Sequence, residues 1–287
     1  MISPLIRRLP DIAREVASEY QLHRHARYAA LAISDVADRV RGRRDPGIPP
    51  RRSRDFVGGG DFRATGQEFL GHLRTLADLQ PTDRVLEVGS GIGRIALPLT
   101  EVLSDRGSYN GLEIVKRGVR WCEANISATH PNFRFDHADI ANGTYNRRGR
   151  TPADTYRFPF PRDSFDLAVL TSVFTHLLSP TVEHYVAELQ RVVAPGGRIL
   201  ATFYLLDGES ERLMQEGRAE ISFPYERGDA RVMDEHAPEN AVAFPERYSL
   251  DLFERHGFRV RQPIHYGSWS GRTGTLSHQD IIVVRRD

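Results

Sequence analysis

Short, near-continuous apolar runs alternate with helix-patterned segments from residue 56 to the end of the chain. That alternation constrains the fold more than any other feature. The runs are RVLEV (84–88), YNGLEI (109–114), FRFDHA (133–138), FDLAVLTS (165–172), GRILATFYL (197–205), FRVRQPIHY (258–266) and QDIIVVRR (279–286). Helical patterns fall near 93–104, 115–129, 180–193 and 247–256. Strands that are apolar on both sides are covered on both faces, and strands separated by helices pair in parallel. Only a short Gly- and Ser-rich stretch joins the last two runs, too short for a helical crossover, so that pair is expected to be antiparallel. The expectation is a Rossmann-like, doubly wound α/β fold: a mostly parallel seven-stranded sheet with an antiparallel last strand.

An N-terminal helical arm precedes this region. Ile12, Val16 and Tyr20, then Ala26, Ala29, Ile33, Val36 and Val40, recur at three- and four-residue steps and gather on one helix face. Gly42, Pro46, Pro49 and Pro50 end the pattern, and RRSRD forms a basic linker. Although the whole chain carries a net charge of only +1, residues 1–54 hold 12 Arg against 6 Asp and Glu. The expected division is a basic arm and linker over 1–55 and a single catalytic-type domain over 56–287. The arm is expected to pack on its own domain or on a second copy in a homodimer; peripheral contact with an anionic membrane is the alternative. Lys116 is the sole lysine beside 38 arginines, a compositional bias that gives single arginines little functional weight.

At 40% hydrophobic and 27% charged residues, the composition is that of a soluble globular protein. The single cysteine, Cys122, excludes an internal disulfide framework and a cysteine-based zinc site. With no membrane-length apolar run and no signal-peptide centre, a cytoplasmic location is expected. The near-neutral balance does not mark a nucleic-acid binder.

A doubly wound sheet holds its ligand at the carboxyl ends of its strands, and VLEVGSGIGR (85–94) is the first such end. A dinucleotide turn of the GxGxxG kind would place its last glycine at Arg94. The chain instead has Glu87 followed by Gly89, Ser90, Gly91 and Gly93. Glycines there allow positive φ and close approach of a ligand to the backbone. An acid just ahead of them repels a pyrophosphate and favours a cationic amino acid or sulfonium, which S-adenosylmethionine matches.

The motifs resemble those of class I S-adenosylmethionine-dependent methyltransferases, over roughly residues 56–287. VLEVGSGIGR looks like the family's first motif. Glu113, in YNGLEI, stands where such enzymes place the acid that accepts from both ribose hydroxyls. Asp139, in HADI, matches the acid that contacts the adenine amino group, with Ile114 and Ile140 as walls for the ring. FDLAVLTSVFTHL, with Thr171 at the strand end, resembles the fourth strand and its loop. RVVAPGGRILATF resembles the helix, turn and fifth strand that complete the site. The resemblance implies S-adenosylmethionine as methyl donor.

Methyl transfer from a sulfonium is an in-line displacement, so the protein mainly aligns donor and acceptor. A hydroxyl acceptor also benefits from a general base. His176, in SVFTHL just past the fourth strand, is the first candidate, because histidine titrates near neutrality; holding local backbone is its alternative role. His278 is the second candidate. It lies in GSWSGRTGTLSHQD (267–280), where Trp269, Arg272 and Gln279 would offer an aromatic platform and planar hydrogen-bonding groups to a sugar or other hydroxylated acceptor. Packing of Trp269 into the core is the competing expectation. The long segments 140–163 and 206–245 leave the donor edge of the sheet, and with the N-terminal arm they are expected to form an acceptor lid, 206–245 being its insertion. No metal site is expected: His23 and His25 read as surface residues of a basic helix, and a divalent site at His236 with Asp234 and Glu235 is the alternative.

The expected activity is O-methylation of a small molecule or glycan hydroxyl. TSVF stands after the fourth strand where base N-methylating enzymes carry an Asn-Pro-Pro-Tyr-like tetrapeptide, which weighs against a nucleic-acid acceptor. An RNA or protein methyltransferase and a non-catalytic donor-binding scaffold remain the alternatives.

Overall fold

The computed structural model describes residues 29–43, 45 and 47–287. The early arm positions Ile12, Val16, Tyr20, His23, His25 and Ala26 lie outside the described residues. The chain divides into two compact units, Met1–Gly59 and Gly60–Asp287, a boundary four residues beyond the expected one.

In the first unit, helix α1 spans 29–40. Ile33, Val36 and Val40 of its apolar stripe are exposed among the described residues. Asp35 accepts from the backbone N–H groups of Arg51 and Arg52 at 2.7 and 3.2 Å, which ties the linker turn Arg51–Ser53 back to the helix.

The second unit begins with α2 (Phe62–Thr75), capped by Asp61, whose side chain accepts from the Ala64 N–H at 2.8 Å. The elements that follow are β1 (Arg84–Val88), α3 (Ala96–Leu99), β2 (Ser108–Glu113), α4 (Lys116–Cys122), β3 (Phe133–His137), β4 (Phe165–Leu170), α5 (Ser179–Val192) and β5 (Val193–Phe203). After β5 come β6 (Leu205–Leu206), α6 (Gly208–Gln215), β7 (Tyr225–Arg227), β8 (Ala230–Val232), β9 (Val242–Pro245), α7 (Glu246–Arg255), β10 (Phe258–His265) and β11 (Asp280–Arg286).

The main sheet has the order β10-β11-β5-β4-β1-β2-β3. Its five strands from β5 to β3 are parallel, and β11 is antiparallel to both β5 and β10. The expected sheet and its antiparallel last strand are therefore present. Alternate residues feed two cores. Val85, Tyr109, Leu167 and Leu200 face the side covered by α2, α3 and α4. Leu86, Leu112, Ala168, Ile199 and Ile282 face the side covered by α5 and α7. Arg84 locks the start of β1 to β4 through a two-pronged pair with Asp166, at 2.7 and 2.9 Å.

Two expected helices are shorter than their patterns. Over 93–104 only Ala96–Leu99 is α-helical, because the glycine turn occupies the start. Over 115–129, α4 passes at Glu123 into a π-helical stretch, Glu123–Ser127. The segment 206–245 is a structured excursion: β6, β9, β8 and β7 form a second, four-stranded sheet.

Candidate functional site

β1 stops at Val88 because the next residues need a backbone that L-amino acids avoid: Gly89, Gly91 and Gly93 all have positive φ, at 75°, 59° and 80°. A Cβ on Gly89 would meet Val173 Cγ2 at 2.6 Å, and one on Gly93 would meet Ile126 Cδ1 at 2.7 Å. The turn is stitched to the end of β2. The Gly89 and Ser90 N–H groups both donate to the Leu112 carbonyl, at 2.7 and 3.2 Å, and Gly91 N–H donates to Glu113 Oε2 at 2.6 Å. Gly111 makes room for this. A side chain there would strike Ser90 Oγ and Phe135 Cδ1 at 2.7 Å each, a signal present in the sequence as a glycine inside a strand.

Glu113 ends β2 beside the turn. Its other oxygen, Oε1, accepts from Val115 N–H at 2.7 Å. Burial pushes its carboxyl up to about 7, against the pull of the Val115 and Gly91 amides. Each carboxylate oxygen keeps a further lone pair, so a vicinal diol has a buried acceptor here. Ile114 is half-buried and Ile140 buried. Asp139 is half-exposed, and its carboxylate accepts from Arg150 Nε at 2.5 Å. That guanidinium holds Asp139 below the ordinary carboxylate range.

Three sequence expectations change here. Glu87 lies beneath the turn and does not line it. It is buried, accepts from the Tyr109 hydroxyl, and burial pushes its carboxyl up to about 8. Ser90 turns its side chain inward against Gly111, its Oγ buried without a hydrogen-bond partner among the described residues, so only its backbone faces the turn. Trp269 is fully buried among Tyr204, Phe223 and Leu206, and its Nε1–H donates to Asp280 Oδ2 at 2.7 Å. It is a core residue, because its large apolar surface fills the space under the second sheet, and no platform for a sugar.

The remaining acceptor candidates separate. Arg272 stacks on Tyr266 at 4.3 Å and donates to both oxygens of Asp207, at 2.6 and 2.7 Å. Its charge is already matched, so it is a brace for the start of α6. His278 is exposed and pairs with Glu220 at 3.1 Å. Gln279 belongs to a polar network at the ends of β4 and β5. Its Oε1 accepts from Thr202 Oγ1 at 2.6 Å, and its Nε2 donates to Ser172 Oγ at 3.0 Å and Tyr204 Oη at 3.2 Å. Ser172 has φ +57°, and its N–H donates to Thr202 Oγ1 at 2.7 Å. Thr171, half-buried, precedes it.

His176 sits in a 3₁₀ turn, Phe174–His176, just past β4. Its Nδ1 lies 2.9 Å from the Glu239 carbonyl oxygen, and burial lowers its pKa. Tyr145 meets its ring edge-on at 6.0 Å between centroids. The Glu239 carboxylate accepts from Asn142 Nδ2 at 3.1 Å and Gly143 N–H at 3.3 Å. The two long segments therefore meet over His176. Tyr109, Tyr145, Ser172 and Glu239 carry no local signal, since the partners that place them lie 22 to 107 positions away. Among the described residues no group of three or more His, Cys, Asp and Glu is arranged to hold a metal ion, and no helix is long and apolar enough to cross a membrane.

The sheet order, the positive-φ glycine turn and the buried acid ending β2 define a class I S-adenosylmethionine-dependent methyltransferase fold. Comparison with known proteins agrees. Residues 86–201 match a family model described as a methyltransferase domain. Over 187 residues it is 26% identical to a tRNA N(3)-cytidine methyltransferase of Gallus gallus, covering 62% of this chain and 44% of that protein. It is 31% identical over 144 residues to nocamycin O-methyltransferase of Saccharothrix syringae, covering 49% and 46%. The aligned chain thus spans less than half the length of these relatives. An S-adenosylmethionine-dependent methyltransferase structure from Mesorhizobium loti superposes with a TM-score of 0.50 at 14% identity, covering 76% of this chain and 98% of that one, a likeness of fold.

Proposed function

We propose that the chain transfers a methyl group from S-adenosylmethionine to a hydroxyl of a small molecule or glycan, with His176 as general base. The residues fit the donor: the Gly89–Gly93 turn would pass its methionine portion, Glu113 would accept from its ribose, and Ile114, Asp139 and Ile140 would flank its adenine. When bound, the donor supplies an electrophilic methyl on a positively charged sulfur. The protein's own part is to hold the acceptor oxygen and take its proton.

One observation carries this reading. A carbonyl oxygen only accepts, so the contact with Glu239 puts the proton of neutral His176 on Nδ1 and leaves the Nε2 lone pair as a base. Its lowered pKa keeps that form populated at neutral pH. The hydroxyls of Ser172, Tyr204 and Tyr145 near the same strand ends suit a hydroxylated acceptor. The segment 206–245, together with 140–163, supports an acceptor lid, since both reach His176.

The test is donor binding by calorimetry followed by turnover of hydroxylated acceptors, read by mass spectrometry. His176→Asn keeps a donor for the Glu239 carbonyl and removes the base. Turnover is expected to fall about 10²- to 10⁴-fold while donor affinity holds. An unchanged rate in this variant would sink the base assignment. A tRNA acceptor is the second reading, favoured by the relative from Gallus gallus. Methylation of tRNA in place of every hydroxylated compound would establish it.

A further inference from the structure

We propose that Glu239 is a positioning residue for this reaction: its carbonyl fixes the tautomer of His176, and its carboxylate latches together the two segments that roof the ring. The inference rests on His176 acting as base. It adds a residue for which the sequence carries no motif.

The geometry gives Glu239 two separate contacts. Its backbone oxygen, 2.9 Å from His176 Nδ1, accepts a hydrogen bond from the Nδ1–H. Its side chain accepts from Asn142 Nδ2 and from the Gly143 N–H, which belong to the segment after β3. The 3₁₀ turn Pro238–Asn240 holds the residue between these contacts, with Pro238 restricting the backbone at its first position. Because the carbonyl is placed by the turn and the turn is anchored by the carboxylate, the side chain determines where the imidazole's proton sits. Among the described residues, two titratable groups face His176 from the elements packed on it. They are Glu239, whose charge favours the imidazolium, and Tyr145, whose ring abuts the imidazole.

The experiment combines nitrogen-15 NMR of histidine-labelled full-length protein with steady-state kinetics. The signals of His176 are assigned by their loss in His176→Asn. Wild-type His176 is expected to show a protonated Nδ1 and a bare Nε2. Glu239→Gln keeps an acceptor oxygen for Asn142 and Gly143 but removes the charge. It should retain turnover while the acidic limb of the kcat–pH profile moves to lower pH, since a carboxylate no longer favours protonated His176. Glu239→Ala releases the latch; kcat should fall about tenfold or more with donor affinity unchanged.

An Nε2-protonated ring in the wild type overturns the proposal, as does a Glu239→Gln profile superimposable on wild type. So does a folded Glu239→Ala protein with full kcat. Should Glu239→Ala not fold, the wild-type tautomer and the Glu239→Gln profile still decide. Full turnover by His176→Asn would instead strike the base assignment, while the tautomer still reports on Glu239.

Discussion

Glu113 is where residue-scale chemistry meets donor recognition. It is buried with both oxygens already accepting backbone N–H groups, and its carboxyl is pushed up to about 7. Hydroxyl donors bind the ionised form better than the acid. Its folded value is raised, so the ionised form is complete only above about 7 and is lost as pH falls through it. Donor affinity is therefore expected to weaken as pH is lowered below about 7, measured by calorimetry across neutrality. Glu113→Gln should weaken binding about ten- to a hundredfold, the worth of hydrogen bonds to a charged group, and flatten that dependence. Equal pH dependence in the variant would show that another group titrates. Glu87 makes the contrast: the same residue type, two positions ahead of the glycines, is buried with the Tyr109 hydroxyl donating to it, and burial pushes its carboxyl up to about 8 against the pull of that tyrosine.

At the scale of elements, the strand–turn junction from β1 to Ser90 depends on a backbone that a side chain would strain. Gly89 combines φ +75° with Val173 Cγ2 2.6 Å from where a Cβ would stand. Gly217 has a similar φ of +70° but nothing nearby. Gly89→Ala is expected to destabilise by about 2–4 kcal/mol, from left-handed strain plus overpacking, and Gly217→Ala by about 1 kcal/mol from strain alone. Urea midpoints would rank them; equal losses would show that Val173 yields freely. The element pattern itself was readable. Seven runs became the seven strands of the main sheet; burial on both faces gives the inner strands a plain hydrophobic signature, whereas the edge strand β10 is largely exposed. The small sheet was not readable, since β6 to β9 run only two to four residues each and pair with one another across the excursion.

At the scale of the molecule, every residue assigned to the donor and acceptor sites lies in the unit Gly60–Asp287. A fragment of residues 60–287 is accordingly expected to fold and to bind S-adenosylmethionine like the full chain, measured by thermal unfolding and calorimetry. In the same fragment, proteolytic cuts near 142–150 and 234–240 should be suppressed by donor and acceptor together if those segments form a lid. Identical cleavage with and without ligands would count against it.

Local chemistry written along the chain determined the alternation of strands and helices, the glycine turn, and the acids at the ends of β2 and β3. Each depends on neighbours a few positions away. Tertiary structure decided which of those groups face a ligand. It buried Trp269 and Glu87, matched Arg272 with Asp207, and brought Glu239 and Asn142 together over His176. Burial, ionisation and tautomer are set by what packs from distant parts of the chain, and no local pattern of residues carries that information.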